Sequence, residues 1–529
     1  MTTPDAIVIG SGPNGLVGAN LLADRGWEVL VLEAQPDPGG AVRSGELTEP
    51  GFVHDRFSAF YPLAAASPVI RGLGLEEFGL RWRHAPIALA NPTPDGGCAV
   101  LSTDIDETAA SLDNYAPGDG AAWRALYARW QRVGRHLVDA LLTPFPPVVA
   151  GGRLAATIGP RDWARFARFA LLPVRTMAEE TFAGSGAALL LAGNTLHTDL
   201  GPEQTLGGFF GWVLASLGQE HGFPVPEGGA GRLTDALVRR LEARGGRVVC
   251  STAVTSIEVR GRRAVAVRTE HGDEIGVARA VLADVGAPAL YGSLVRREHL
   301  PARVLEGMRG FAYDHATVKI DWALDGPVPW SAEPARRAGT VHLGDSLDHL
   351  SEVAAQLATG RIPAKPFVLI GQMTTSDPTR SPPGTESVWG YTHVPHRPVG
   401  DAGGDLSGKW DERETEGFVA RVERELEARA PGFTDRVVGR NVLTPPMLEA
   451  ADANLVGGAV NGGTAQLHQQ LIFRPTVGLG RAETPIRGLY LASASAHPGG
   501  GVHGACGANA ARAALAADGR RRFVAAISR

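Results

Sequence analysis

Cysteine is scarce in this 529-residue chain: Cys98, Cys250 and Cys506 stand far apart, and none belongs to a C-x-x-C pair. That spacing excludes a disulfide framework, a thiolate zinc site and a redox-active dithiol. Lysine is nearly absent, the basic residues being almost all arginine. Long apolar runs are missing too, and none reaches the roughly 18 residues needed to cross a bilayer. The first apolar run begins at Ala6, which leaves no room for a signal peptide and makes a reducing cytoplasm the expected setting. Neither charge sign dominates: 51 basic and 56 acidic residues are interspersed, for a formal charge of -5. Nothing in that balance suggests a nucleic-acid partner. The length calls for two or more domains, with ample material for a buried cavity.

Glycine, by contrast, is abundant and ordered. Ala6-Ile-Val-Ile reads as a strand buried on both faces, and Gly10, Gly12 and Gly15 follow it at G-x-G-x-x-G spacing. Such glycines allow the sharp turn, the approach of a pyrophosphate to bare backbone and close packing of the next helix. Pro13 and Asn14 open that helix, whose unpaired first-turn N–H groups and dipole favour an anion. Leu16, Val17, Leu21 and Leu22 give it an apolar stripe, and Gly26 can stop it. Glu33 ends the second strand, where a carboxylate accepts hydrogen bonds from both ribose hydroxyls and repels a 2'-phosphate. Strand, glycines, helix, strand and acid in this order predict an adenine dinucleotide site.

From Gly39 the chain reads Gly-Gly-Ala-Val-Arg-Ser-Gly-Glu-Leu, then a short hairpin, Gly51 and an acidic turn at Asp55. This segment resembles the second FAD-contacting stretch of the flavin amine oxidase and phytoene desaturase superfamily. Its wording is closest to the phytoene-desaturase-related branch known as pyridine nucleotide-disulfide oxidoreductase-like. The C-terminal run Ser495-Ala-His-Pro-Gly-Gly-Gly-Val-His-Gly504, between a strand and an alanine-rich helix to about Asp518, is similar to the flavin-contacting terminus of phytoene desaturases. The resemblance implies an α/β fold: a Rossmann-type, glutathione reductase-like FAD-binding domain with an inserted α+β substrate or cap domain. The FAD domain would comprise residues 1–62, 226–300 and 472–529, and the cap residues 63–225 and 301–471.

The same resemblance supplies roles. Gly39 and Gly40 would contact the cofactor, and Arg43 would take over the phosphate contact that much of the superfamily gives to an arginine directly after the glycine pair, where this chain has Ala41. After Pro224 and a helix through Leu241, one strand, a three-strand meander and a closing strand are expected. There Val254 would offer its backbone to the adenine, and Asp284 would pass near the cofactor. Gly499, Gly500, Gly501, Val502 and Gly504 would cradle the flavin, with N–H groups from Val502 to Ala505 facing the negative charge of its reduced form. His497 and His503 would lie close to the ring. The alternating run Ala316 to Leu324 reads as a half-buried strand. Its Lys319 resembles the lysine that flavin amine oxidases use to hold a water at flavin N5.

Other motifs are open at the level of sequence. Arg161 to Met177 interleaves arginines with Trp163, Phe166 and Phe169, predicting a basic amphipathic helix that ends near Pro173. Such a helix can meet a membrane surface, or form an arginine face over a core or a contact in a homo-oligomer. His197 and Asp199 suit either a pocket or a capped helix end. His393 and His396 flank a valine-proline step, which disfavours a metal. The function expected is an FAD-dependent oxidoreductase that desaturates an apolar, polyprenoid or lipid-like substrate by hydride transfer to flavin N5. An amine oxidase, a redox-neutral isomerase and a low-turnover flavoprotein with an interaction role are the alternatives.

Overall fold

The structure, a computed structural model, describes residues 3–527. Its first sheet has five parallel strands in the spatial order Leu489–Leu491, Ala280–Ala283, Ala6–Ile9, Val29–Leu32, Arg247–Val249. The three inner strands are wholly apolar and buried at every position, as a parallel sheet covered on both faces requires. One face packs on the helices Pro13–Ala23, Gly231–Glu242 and Ala505–Ile527. The other face carries Ile257 and Val267 of the antiparallel meander Val254–Arg260, Arg263–Thr269, Glu274–Gly276. The final helix runs on to Ile527, beyond the stop expected near Asp518.

A second sheet of seven strands is ordered Val437–Leu443, Ala316–Leu324, Glu386–Val394, Val368–Gln372, Ala338–Leu343, Ile87–Pro92, Cys98–Leu101. Its neighbours are antiparallel apart from one parallel pair, Ala338–Leu343 with Ile87–Pro92. One side of it is covered by helices Asp119–Leu142, Ser185–Thr195 and Gly207–His221, which bury Trp123, Trp130 and Trp212. The other side packs Trp322 and Phe418.

Two local expectations are corrected and one stands. Ala316–Leu324 is buried at all nine positions instead of half-buried, because it lies inside the sheet between two partners. The basic amphipathic helix expected to end near Pro173 is Trp163–Leu171, and a separate helix, Val174–Thr181, starts after that proline, which lacks the N–H a continuous helix needs. Asp55 is no turn: it ends the hairpin strand Val53–Asp55, fully buried and 3.0 Å from the Arg380 guanidinium.

Candidate active site

The glycine turn between the first strand and helix is closed to any side chain. A Cβ on Gly15 would lie 2.3 Å from the Gly10 carbonyl oxygen, and one on Gly12 would lie 2.7 Å from an Asp284 carboxylate oxygen. The Gly39 N–H donates to the Ser11 carbonyl at 3.1 Å, and a Cβ on Gly40 would come within 3.1 Å of the Gly12 Cα. Both glycine motifs therefore form one surface. Glu33 sits at its edge, accepting from the Ser11 N–H at 2.8 Å and hydroxyl at 2.6 Å through one oxygen and from the Gln35 N–H at 2.9 Å through the other. Val254 lies two residues beyond Thr252, whose N–H donates to the Glu33 carbonyl at 2.8 Å. Arg43 binds the Gly40 carbonyl through Nε and the Ala451 carbonyl through Nη2, both at 2.9 Å.

Two polar groups stand out beside this surface. Asn14 Oδ1 is buried without a hydrogen-bond partner. Asp284 accepts the Gly15 N–H at 2.7 Å, and its carboxyl is pushed up to about 8, first by burial and then by the neighbouring carboxylates of Asp452 and Glu33.

The C-terminal loop meets this surface from the other side. A Cβ on Gly504 would fall 2.8 Å from Val17, in the first helix. His497, joined to Pro498 by a cis bond, places Nε2 3.2 Å from the Thr143 carbonyl. The His503 carbonyl accepts from the Ser67 hydroxyl at 2.7 Å, and its Nδ1 accepts the Ala505 N–H at 3.0 Å. That last bond corrects the expected donor set, since the Ala505 N–H is spent on an imidazole. Burial lowers both histidines to about 4, so each is neutral at pH 7. His497 Nδ1 and His503 Nε2 have no hydrogen-bond partner; the His503 ring approaches the Gly499 and Gly500 backbone without good bonding geometry. Gly499 and Gly501 hold φ of +116° and +98°, a region that favours glycine, so this loop is bare backbone beside two rings that each keep one unpaired nitrogen.

Lys319 is 2% exposed and its Nζ lies 2.5 Å from Asp321 Oδ2, so the lysine is an internal ion pair and not a solvent-facing strand residue. Burial lowers the Lys319 pKa and raises that of Asp321, while each opposes the other's shift. Asn441 Nδ2 also approaches Asp321, at 3.3 Å, and His54 Nδ1 lies 3.6 Å from its second oxygen. On the neighbouring strand Glu386–Val394, Lys319 pairs with Tyr391 and Thr317 with His393, which puts these side chains on one face. Tyr391 Oη is 3.2 Å from His197 Nδ1, and His197 Nε2 is 3.0 Å from His342 Nε2. Burial lowers His197 to about 3 and His342 well below its usual value, leaving the chain of rings neutral.

Asp199 ties the loop at Thr464 and Ala465. His396 stacks on Tyr313, whereas His393 lies in the strand Glu386–Val394 against Tyr391 and His315, and among the described residues no group of three metal-ligating side chains is present. Sequence reasoning missed Asp321, Arg380, Tyr391 and His342, none of which sits in a motif. The only advance signal was the polar run of alternate residues Thr317, Lys319 and Asp321.

Fold and site together define an FAD-dependent oxidoreductase: a glycine-lined dinucleotide fold at the front of the chain meets a glycine loop from its end, beside a second, seven-stranded sheet. The chain belongs to the family described as flavin containing amine oxidoreductase, whose profile matches residues 14–515. It is 28% identical to the pyridine nucleotide-disulfide oxidoreductase domain-containing protein 2 of Mus musculus, across 96% of this chain and 92% of that one. It is 24% identical to the neurosporene-forming phytoene desaturase of Rhodobacter capsulatus, across 94% and 91%. An oxidoreductase from Methanosarcina mazei shares the fold with a TM-score of 0.62 at 17% identity, over 96% of this chain and 99% of that one.

Proposed function

We propose that this oxidoreductase dehydrogenates a neutral, largely apolar substrate held between the cap sheet and the glycine loops, turning a C–C single bond into a double bond. The observation that supports it is the neutrality of the enclosed face. Lys319 is compensated by Asp321, the histidines are uncharged, and Trp389 and Tyr391 supply aromatic surface. Bound FAD would accept the hydride at N5, and the adjacent carbon would lose its hydrogen as a proton to a water held by Lys319. The chain's own part is to bind, orient and exclude water. Gly499 to Gly501 give close backbone access, Trp389 is fixed by donating to the Phe57 carbonyl at 2.8 Å, and Lys319 offers its remaining N–H donors to a water at the reacting face. Anaerobic titration with polyprenoids and amines tests this: bleaching of the flavin by a hydrocarbon is expected. Bleaching by NADPH alone would reverse the assigned direction, and peroxide release with amines would make the chain an amine oxidase.

We further infer that the helices Val148–Ile158 and Trp163–Leu171 touch a membrane surface. Val148 and Val149 are 77% and 68% exposed, Trp163 and Leu171 both 49%, and Arg153, Arg161 and Arg165 lie exposed among them. Apolar side chains beside arginines suit anionic headgroups. No helix among the described residues is long and apolar enough to cross a membrane. Co-sedimentation with anionic phospholipid vesicles is expected and should fall when Val148, Val149 and Trp163 become serine. Equal recovery of both proteins in the supernatant would refute the contact.

A further inference from the structure

A lane of rings crosses the enclosed face of the cap sheet. Ring centroids are 6.1 Å apart from Phe60 to Trp389, 5.1 Å from Trp389 to Tyr391, 5.5 Å from Tyr391 to His393 and 6.2 Å from His393 to His315. It begins beside the segment that follows Gly39 and Gly40, where Trp389 is bonded to the Phe57 carbonyl. It ends at a narrow cleft of about 20 Å³, room for a single oxygen atom, lined by Leu200, Val353, Phe367, Asp199, His315 and His393.

The end of the lane differs in chemistry from its length. His393 is 6% exposed, and neither ring nitrogen has a hydrogen-bond partner, although the Ala316 and Leu196 backbone lies close by. A neutral imidazole carries one N–H donor and one lone pair, and leaving both unmet in an apolar wall is unfavourable. Of the polar groups nearby, Asp199 and Tyr391 are already engaged: Asp199 accepts the Ala465 N–H at 2.7 Å through one oxygen and the Thr464 hydroxyl through the other. Tyr391 is committed to His197. An uncharged donor and acceptor thus lie in the wall of the cleft beside Leu200, Val353 and Phe367.

We propose that this cleft is a subsite for a hydroxyl or carbonyl oxygen at the end of an otherwise apolar substrate, with His393 as its hydrogen-bond partner. The proposal rests on the reading that substrate lies along the cap sheet, and it narrows the substrate class from plain hydrocarbons to oxygen-terminated ones. A hydroxyl can donate to one ring nitrogen and accept from the other in alternate poses; a carbonyl accepts from the N–H. A carboxylate finds no free cation there, because the ring is neutral.

The test uses the flavin-loaded protein and three acyclic terpenoids of similar size: geraniol with a terminal hydroxyl, myrcene with none, and geranylamine. Calorimetric titration should show geraniol binding at least about tenfold more tightly than myrcene, the worth of one well-placed hydrogen bond that leaves no buried group unpaired. His393→Phe should abolish that preference with myrcene binding within about twofold of wild type, and His393→Gln should keep part of it. Equal affinities in the wild type, a preference that survives in His393→Phe, tighter binding of geranylamine, or no binding by any of the three would each overturn the subsite. Anaerobic bleaching, read separately, distinguishes the two levels. An oxygen preference with no bleaching keeps the subsite and sinks the dehydrogenation, and bleaching with no preference does the reverse.

Discussion

A methyl group on Gly507 would stand 1.8 Å from the carbonyl oxygen of Asn14, so the last helix of the chain meets the first backbone to backbone. No side-chain rearrangement can relieve that clash. Gly507→Ala should push the two helix starts apart, cost at least about 1–3 kcal/mol as overpacking, and lower the flavin-to-protein absorbance ratio several-fold. Full flavin occupancy in this variant would show that the two ends do not share one cofactor.

Asp284 gives the cofactor-free protein a pH dependence with a definite sign. Its carboxyl is raised to about 8 in the fold from an ordinary value of 3.8, chiefly by burial. Between those values the folded chain holds a proton that the unfolded chain has released, so this group's contribution to stability falls as pH rises, by up to about 1.4 kcal/mol per unit. Asp284→Asn keeps an acceptor for the Gly15 N–H and removes the titration. Urea unfolding of both proteins at pH 5 and pH 8 should show the steeper loss in the wild type, and parallel losses would refute the assignment.

What the sequence revealed and what it hid follow from how each feature is encoded. The cradle was legible because a backbone that must come close to another backbone admits only glycine at fixed spacing, as at Gly12, Gly15 and Gly40, and because Glu33 must end a strand. The far terminus was legible for the same reason. The Tyr391–His197–His342 chain was not, since its members come from three elements whose register only the folded sheet sets. The run Ala316 to Leu324 reads as half-buried because Thr317, Lys319 and Asp321 alternate with apolar residues, yet it lies wholly inside, where Lys319 is bonded to one oxygen of Asp321.

Arg474 is 1% exposed and makes no ion pair among the described residues; its guanidinium instead holds three carbonyls, those of Asn461, Thr464 and Ala494, at 2.7–3.1 Å. Those carbonyls belong to the loops that flank Gly499. Arg474→Met removes the donor of the Asn461 and Ala494 carbonyls, leaves Thr464 only its bond from the Gln470 amide, and should cost at least about 3 kcal/mol in denaturant unfolding, with weaker flavin retention. Arg474→Lys should recover less than half, because one ammonium cannot span the same three acceptors as a planar fork. Full recovery by lysine would mean that charge alone matters there.

Lys319 and Asp321 allow structure and chemistry to be separated. Removing the ammonium alone, as Lys319→Met, strands a carboxylate in a site with no exposure and should destabilise the protein by about 3–5 kcal/mol. Adding Asp321→Asn removes the stranded charge, keeps an amide that can meet Asn441, and should restore most of that loss, which measures the coupling of the pair. The double variant then has a fold and flavin content close to wild type without the buried cation. If Lys319 serves the reacting face, its anaerobic flavin reduction is slowed at least tenfold at unchanged flavin occupancy, the order of effect that loss of one electrostatic or water-orienting group produces. Wild-type reduction in the double variant would assign the lysine to holding the sheet together and nothing more.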